Sequence, residues 1–373
     1  MRVETHTLFE QFQAALARSP EASVVESLTE SPRLGEFLDA LDPNMSLDWS
    51  GESFQGLPRL REKVLQRAQA ADACAVDDVL ITAGTAEANF LAITQQVQPG
   101  DEIVVDVPGW PQPLVLADAI GAKVKRLPRD VSRGWAPDLD QLAELLTAKT
   151  RLIFICNPNN PTGHLMGQDD LERVCKLADR VGAYVLTDEV YRGLEWGSTA
   201  TPSVAALYER GISTGSVSKV LGLQGIRTGW MICRDRAVIR DAVVLREDSS
   251  EIMNVTGEAI ADIALGDDYY PGAITRARDT GRINLDLLDQ FIGTQKALTW
   301  HRPQAGLIGF CQLDAGLDAA EFSDRLLDPP FCTFVMPGSA YDHPRHLRLG
   351  GGGSTARLQD GLERLGRFMA TLS

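Results

Sequence analysis

The sequence predicts an α/β fold: a large domain with a mostly parallel, seven-stranded-type sheet covered by helices, plus a smaller α+β domain. Three observations predict it. Between Val79 and Thr187, short runs rich in Val, Ile and Leu take turns with helix-period segments, the pattern of βαβ units. Runs such as Val79–Thr82 and Leu152–Cys156 are near-continuously apolar, as expected of strands buried on both faces. Beyond about residue 275 the alternation gives way to a different mixture. A chain of 373 residues is long enough for one large and one small core. We place the large domain at 46–274 and build the small one from 1–45 with 275–373.

His6 to Arg18 carries Leu8, Phe12 and Leu16 at helical spacing, and Pro43 to Phe54 is loop-like. A helix opens near Gly56, with Pro58 allowed in its first turn. Val79–Thr82, Asp101–Asp106, Lys123–Leu127, Leu152–Cys156 and Tyr184–Thr187 read as strands. Helices fall at Ala86–Ile93, Leu114–Ile120 (closed by Gly121), Leu139–Leu146 and Asp169–Arg180. Gly211–Gly215 and Trp230–Cys233 complete a set of seven strands. Ala237–Arg246 reads as helix and Asp248–Val255 as irregular. A longer helix near Ile274–Phe291 carries Ile283, Leu287 and Phe291 on one face. Gly306–Leu313 and His346–Leu349 are strands, and Thr355–Met369 is a helix.

Composition narrows the function classes. Hydrophobic content of 44% and charged content of 23% describe an ordinary globular protein. A formal charge of −15 with no basic cluster argues against nucleic-acid or membrane partners. No apolar run is long enough to span a bilayer, and the first ten residues hold no signal-like segment. The six cysteines are scattered, several within apolar runs, and read as reduced core residues of a cytoplasmic protein. The five histidines form no ligand pattern, so no metal is expected.

Five features follow strand ends in order, where open α/β sheets bind ligands. Gly84-Thr85-Ala86 starts a helix whose free N–H groups favour a phosphate. Trp110 sits in the loop Pro108–Pro111. Asn160 is presented by the proline-rich loop Asn157–Gly163. Asp188 ends an apolar strand, with the Tyr191 phenol three residues on. Ser216–Trp230 then packs Ser216, Ser218, Lys219 and Arg227 among glycines. A lysine in apolar surroundings is a candidate for Schiff-base chemistry, because desolvation favours the neutral nucleophile. Each feature alone has an ordinary explanation as a turn, a cap or a core residue.

Together, in this order and spacing, they resemble the fold-type I pyridoxal 5′-phosphate enzymes, specifically the class I/II aminotransferase family, over about residues 45–350. The resemblance implies that Lys219 holds pyridoxal 5′-phosphate as an internal aldimine and then shuttles the proton at the substrate Cα. It implies that Asp188 faces the pyridine nitrogen, that Tyr191 and Asn160 donate to the ring hydroxylate, and that Trp110 stacks on the ring. The phosphate falls to Ser216, Ser218, Arg227 and the N–H groups of Thr85 and Ala86. Arg348, in His-Leu-Arg-Leu-Gly, takes the substrate carboxylate as a bidentate fork. It also implies a homodimer with shared active sites.

The chain departs from the family in two places. The stretch Leu47–Gly56 has no tyrosine where relatives often reach the neighbouring subunit's phosphate; a serine (Ser50 or Ser53) takes that place, or the contact is absent. The stretch Arg246–Asn254 is unusually acidic. The C-terminal run Val335–Pro344 is similar to a subgroup containing capreomycidine synthase, which acts on arginine derivatives by elimination, cyclisation or oxidation. Two reactions are therefore expected: aminotransfer on an L-amino acid, or such chemistry on a guanidino amino acid, with Glu247, Asp248, Glu251 and the N-terminal Glu10 or Glu30 as candidate partners for a cationic side chain.

Overall fold

A computed structural model describes residues 2–49, 51–197 and 201–372. Its larger sheet orders its strands Val79–Thr82, Gly229–Cys233, Gly211–Ser216, Tyr184–Asp188, Thr150–Cys156, Glu102–Val107, Lys123–Asp130 and Ala136–Pro137. The seven expected strands are present, and the eighth is a two-residue edge pairing. The five from Gly211–Ser216 to Lys123–Asp130 run parallel, whereas Gly229–Cys233 is antiparallel to both neighbours.

Alternate residues of each strand feed opposite cores, the period-2 consequence of the pleat. Ile103, Val105, Leu152, Phe154 and Leu186 meet Ala88, Leu91 and Ala92 of the helix Thr85–Gln96 on one face. Val104, Ile153, Ile155 and Val185 meet Leu171, Val174 and Ala178 of the helix Gln168–Asp179 on the other. The parallel strands therefore end together, and the loops after them converge on one edge. That edge carries the site.

The second sheet is antiparallel, ordered Leu298–Trp300, Ile308–Leu313, His346–Gly350 and Met336–Pro337. Helices Tyr270–Thr294, Ala319–Leu327 and Thr355–Met369 pack on it through Leu288, Phe322, Leu326, Leu362 and Leu365. The N-terminal chain joins this part of the molecule: Ala22–Ser23 pairs in parallel with Thr333–Phe334.

Two helices fall where the sequence predicts no element, and the long helix buries a different face. Val255–Ala264 is a helix, capped by the Asn254 side chain accepting from Gly257 N, despite its β-branched start and internal glycine. Ala319–Leu327 is a helix capped by Asp318. In the helix Tyr270–Thr294 the buried stripe is Ala273, Ala277, Gly281, Asn284, Leu288 and Ile292, and Ile283 is 53% exposed. Small residues win that face because Trp196 and Leu307 press against Gly281, where a Cβ would lie 2.6 Å from the indole.

Candidate active site

A cavity of about 520 Å³ opens at the carboxyl ends of the parallel strands. Thr85, Ala86, Trp110, Asn160, Asp188 and Tyr191 line it from the first four features, and Ser216, Ser218, Lys219 and Arg227 from the fifth. Arg348 reaches it from the second sheet. Residues as far as 263 positions apart in the chain, Thr85 and Arg348, thus line one cavity because strand ends and the small sheet meet there.

The Lys219 side chain enters this cavity from the turn after Gly211–Ser216. Its amine donates to Ser27 Oγ at 2.9 Å. Burial, helped by the positive charge of Arg348, pushes the Lys219 pKa down to about 8, so a neutral amine is accessible near physiological pH.

At one end the site collects donors. The helix Thr85–Gln96 begins at Gly84, whose φ of +88° suits glycine. The Thr85 hydroxyl is buried with no partner, beside a helix N-terminus. Arg227 is held by bonds from Nη1 to Gln224 O (3.0 Å) and from Nη2 to Ala83 O (2.9 Å). A Cβ on Gly84 would overlap that guanidinium. Ser216 Oγ accepts from Ser218 N at 3.3 Å, which draws the two serines together.

Asp188 lies at the end of the strand Tyr184–Asp188 and is 5% exposed. Asn89 Nδ2 donates to its Oδ2 at 2.9 Å and Val190 N to its Oδ1 at 3.1 Å. Thr214 Oγ1 donates to Asn89 Oδ1 at 2.8 Å, which fixes the amide orientation. Burial raises the carboxyl to about 6 even though those hydrogen bonds pull it down. No basic side chain forms an ion pair with it among the described residues. A buried carboxylate in that state is built to receive a cation.

The loop Asn157–Gly163 is locked by its own amides. Asn157 exchanges bonds with Met166, and Asn159 Oδ1 accepts from Thr162. Asn160 is left to face the site; its Oδ1 accepts from Tyr341 Oη (3.2 Å) and Arg348 Nη1 (3.4 Å), leaving Nδ2 as its remaining donor. Arg348 Nη2 donates to Val25 O at 3.1 Å, while its buried Nε has no partner. Tyr191 is almost fully buried, and burial raises its phenol pKa while Arg348 and Ser27 oppose the rise. Trp110 meets His6 edge-on and donates to Gln112 Oε1 at 3.3 Å.

Other candidates lie elsewhere. Glu10 and Glu247 are exposed and do not line the cavity; Glu26 does. Ser50 lies outside the described residues, and the Ser53 hydroxyl accepts from Gln55 N and Arg61 Nη2. The acidic stretch begins at Arg246, which is buried and donates to Ile81 O at 2.6 Å.

Residues 51–365 match the family model for aminotransferase class I and II. The chain belongs to that family. Capreomycidine synthase from Streptomyces vinaceus is 27% identical over 295 residues, 79% of this chain and 75% of that protein. Aspartate aminotransferase from Thermotoga maritima is 26% identical over 295 residues, 79% and 76% of the two chains. A PLP-dependent aminotransferase from Streptococcus suis superposes with a TM-score of 0.92 at 27% identity, covering 100% of this chain and 99% of that one. The PLP-dependent cyclase OrfR has the same fold, with a TM-score of 0.89 at 23% identity over 100% and 99%.

This aminotransferase-family chain is a pyridoxal 5′-phosphate-dependent enzyme, and its residues fit the group. The cavity supplies a depressed amine, a buried acid awaiting a cation, the unpartnered Thr85 hydroxyl and the free Arg348 Nε. Sequence reasoning missed Asn89, Ser27 and Glu26. Asn89 was legible as Thr85 plus one helical turn; the other two lie in a segment without motif or period. Among the described residues no helix is long and apolar enough to cross a membrane, and no cluster could hold a metal ion.

Proposed function

We propose that the chain exchanges the α-amino group of an L-amino acid with a 2-oxo acid. The observation that carries the reading is the convergence of Lys219, Asp188 and Arg348 on one cavity. When bound, pyridoxal 5′-phosphate supplies a sink for the electron pair left at the substrate Cα. Lys219 Nζ anchors the cofactor and then takes and returns the Cα proton, a task suited to an amine titrating near 8. Asp188, held by Asn89, would stabilise positive charge on the cofactor's ring nitrogen. Tyr191 and Asn160 Nδ2 would donate hydrogen bonds to the ring hydroxylate, and Trp110 would stack against the ring. Gly84 makes room for Arg227, which would hold the phosphate with Ser216, Ser218 and the Thr85 and Ala86 N–H groups. Arg348 orients the substrate carboxylate.

A second reading is supported by Glu26. It is the one acidic side chain besides Asp188 among the described cavity-lining residues, so a cationic side chain has a partner there. That suits elimination, cyclisation or oxidation of a guanidino amino acid, and capreomycidine synthase is among the relatives. A mass-spectrometric screen of amino acids with and without 2-oxoglutarate separates the two. Product that depends on the oxo acid supports aminotransfer; ammonia, water loss or a cyclic product without it supports the second reading.

We read residues 46–274 as the cofactor-binding domain, and 1–45 with 275–373 as the small domain. We also read the enzyme as a cytoplasmic homodimer. Leu34, Leu38, Leu47 and Phe54 expose 53–76% of their surface within one short stretch, an apolar surface a second copy would cover. A monomeric mass in light scattering at full activity would refute the dimer.

A further inference from the structure

Residues 24–29 cross the site as a strap held from both sides. On one side Gly350 N donates to Val24 O (2.8 Å), Gly352 N to Glu26 O (3.0 Å) and Arg348 Nη2 to Val25 O (3.1 Å). On the other, Thr29 N donates to Lys219 O at 3.0 Å, and Thr29 Oγ1 to Val220 O at 3.1 Å. Glycines make this close approach possible. A Cβ on Gly350 would fall 2.5 Å from Glu26 N, and one on Gly222 would fall 2.7 Å from Glu30 O. The strap's backbone cannot shift without breaking contacts at the Arg348 or the Lys219 end.

Its central residue, Ser27, is 8% exposed and lines the same cavity as Lys219 and Tyr191. Ser27 Oγ accepts from Lys219 Nζ at 2.9 Å. The same hydroxyl favours the ionised form of the Tyr191 phenol, so it acts on two of the groups assigned to the chemistry. A hydroxyl both accepts and donates, and can therefore hold an amine in either protonation state.

We propose that Ser27 is a positioning residue for Lys219: its hydroxyl holds the ε-amine at a fixed point whenever that amine is free of the cofactor. This rests on the reading that Lys219 is the cofactor-bearing lysine. The lysine side chain has four rotatable bonds, and an amine set loose in a cavity of this size would spend most of its time away from the substrate Cα. One bond from Ser27 removes that freedom. The proton leaving Cα is then collected at Nζ and returned from it, and Ser27 gains and loses nothing overall.

The test begins without cofactor. Arylation of Lys219 by fluorodinitrobenzene in the cofactor-free enzyme, located by mass spectrometry and followed against pH, reports the midpoint at which the amine becomes nucleophilic. An accepting hydroxyl favours the ammonium form, so Ser27→Ala is expected to move that midpoint down by about half a pH unit or more. Ser27→Thr, which keeps the hydroxyl, is expected to hold it. In the cofactor-loaded enzyme Ser27→Ala is expected to lower kcat about tenfold while KM changes by less than about twofold. An unmoved midpoint in Ser27→Ala, or a Ser27→Thr midpoint displaced as far as that of Ser27→Ala, would overturn the proposal. The reading beneath it fails separately: Lys219→Ala that still bound the cofactor covalently would remove Lys219 from the role, whatever Ser27 does.

Discussion

The Asn89 amide donates to the Asp188 carboxylate at 2.9 Å, from a helix 99 residues earlier in the chain. Thr214 in turn fixes Asn89, so helix and two neighbouring strands together orient one acid. Because burial raises the Asp188 pKa to about 6 in the cofactor-free protein, the carboxylate that would meet a positively charged cofactor ring is mostly ionised before binding only above that pH. Asn89→Ala removes a bond that favours the carboxylate, so the pKa rises further. Pyridoxal 5′-phosphate affinity in this variant is expected to fall about tenfold and to weaken at a higher pH than in the parent. Titration of the cofactor-free proteins between pH 5 and about 8 checks both effects.

Gly84 and Arg227 form a second matched pair. Alanine at position 84 would bear a Cβ in the guanidinium's space at a φ of +88°. Gly84→Ala is expected to weaken cofactor binding by at least about tenfold and also to cost about 1–3 kcal/mol of stability, because a φ of +88° with a ψ of 170° is a region open essentially to glycine. Equilibrium dialysis and a thermal melt of the cofactor-free protein distinguish a lost grip from a lost fold.

Asp106 and Arg129 form a fully buried ion pair beneath the loops that carry Trp110 and Asn160. Arg129 Nε donates to Asp106 Oδ2 at 2.9 Å and Nη1 to Trp135 O at 3.1 Å, and Asn159 Nδ2 reaches Pro108 O at 3.4 Å. Arg129→Met strands a buried carboxylate and is expected to cost about 3–5 kcal/mol in urea unfolding. Asp106→Leu combined with Arg129→Met should be less destabilised than Arg129→Met alone, since neither charge is then left unpaired.

His164 and His346 predict acid lability. Burial lowers His164 to about 3, helped by the charge of Arg129, and lowers His346 to about 4, helped by His343. Both therefore stay neutral in the folded protein and protonate more readily once unfolded, near pH 6.5. Their contribution to stability is complete above about pH 6.5 and is lost as the pH falls toward 4 and then 3. Unfolding free energy should drop across that window. Replacing His346 by Gln should flatten the part of the slope that ends near 4.

The order of strands and helices, the identity of the cofactor and most of the side chains that line the cavity were legible in the chain, for a physical reason. Strands buried on both faces must be apolar runs, and the turns after them must supply glycine, proline and polar ligands at fixed places. Gly84, Asp188 and Lys219 announce themselves through local residue type. What only the tertiary structure decided has no local signature. Ser27 is one serine in an irregular segment, and it matters because Gly350, Gly352 and Gly222 let that segment lie against Lys219. Glu26 lines the cavity, whereas Glu10 and Glu247 do not, since the orientation of a side chain on a strap or a helix depends on packing partners far along the chain. The buried stripe Ala277–Gly281–Leu288 likewise defeats a count of large apolar residues, because close helix approach to Trp196 selects small ones. Local residue type determined which cofactor this fold takes, and the long-range meeting of strap, sheet ends and small sheet decided which side chains stand around it.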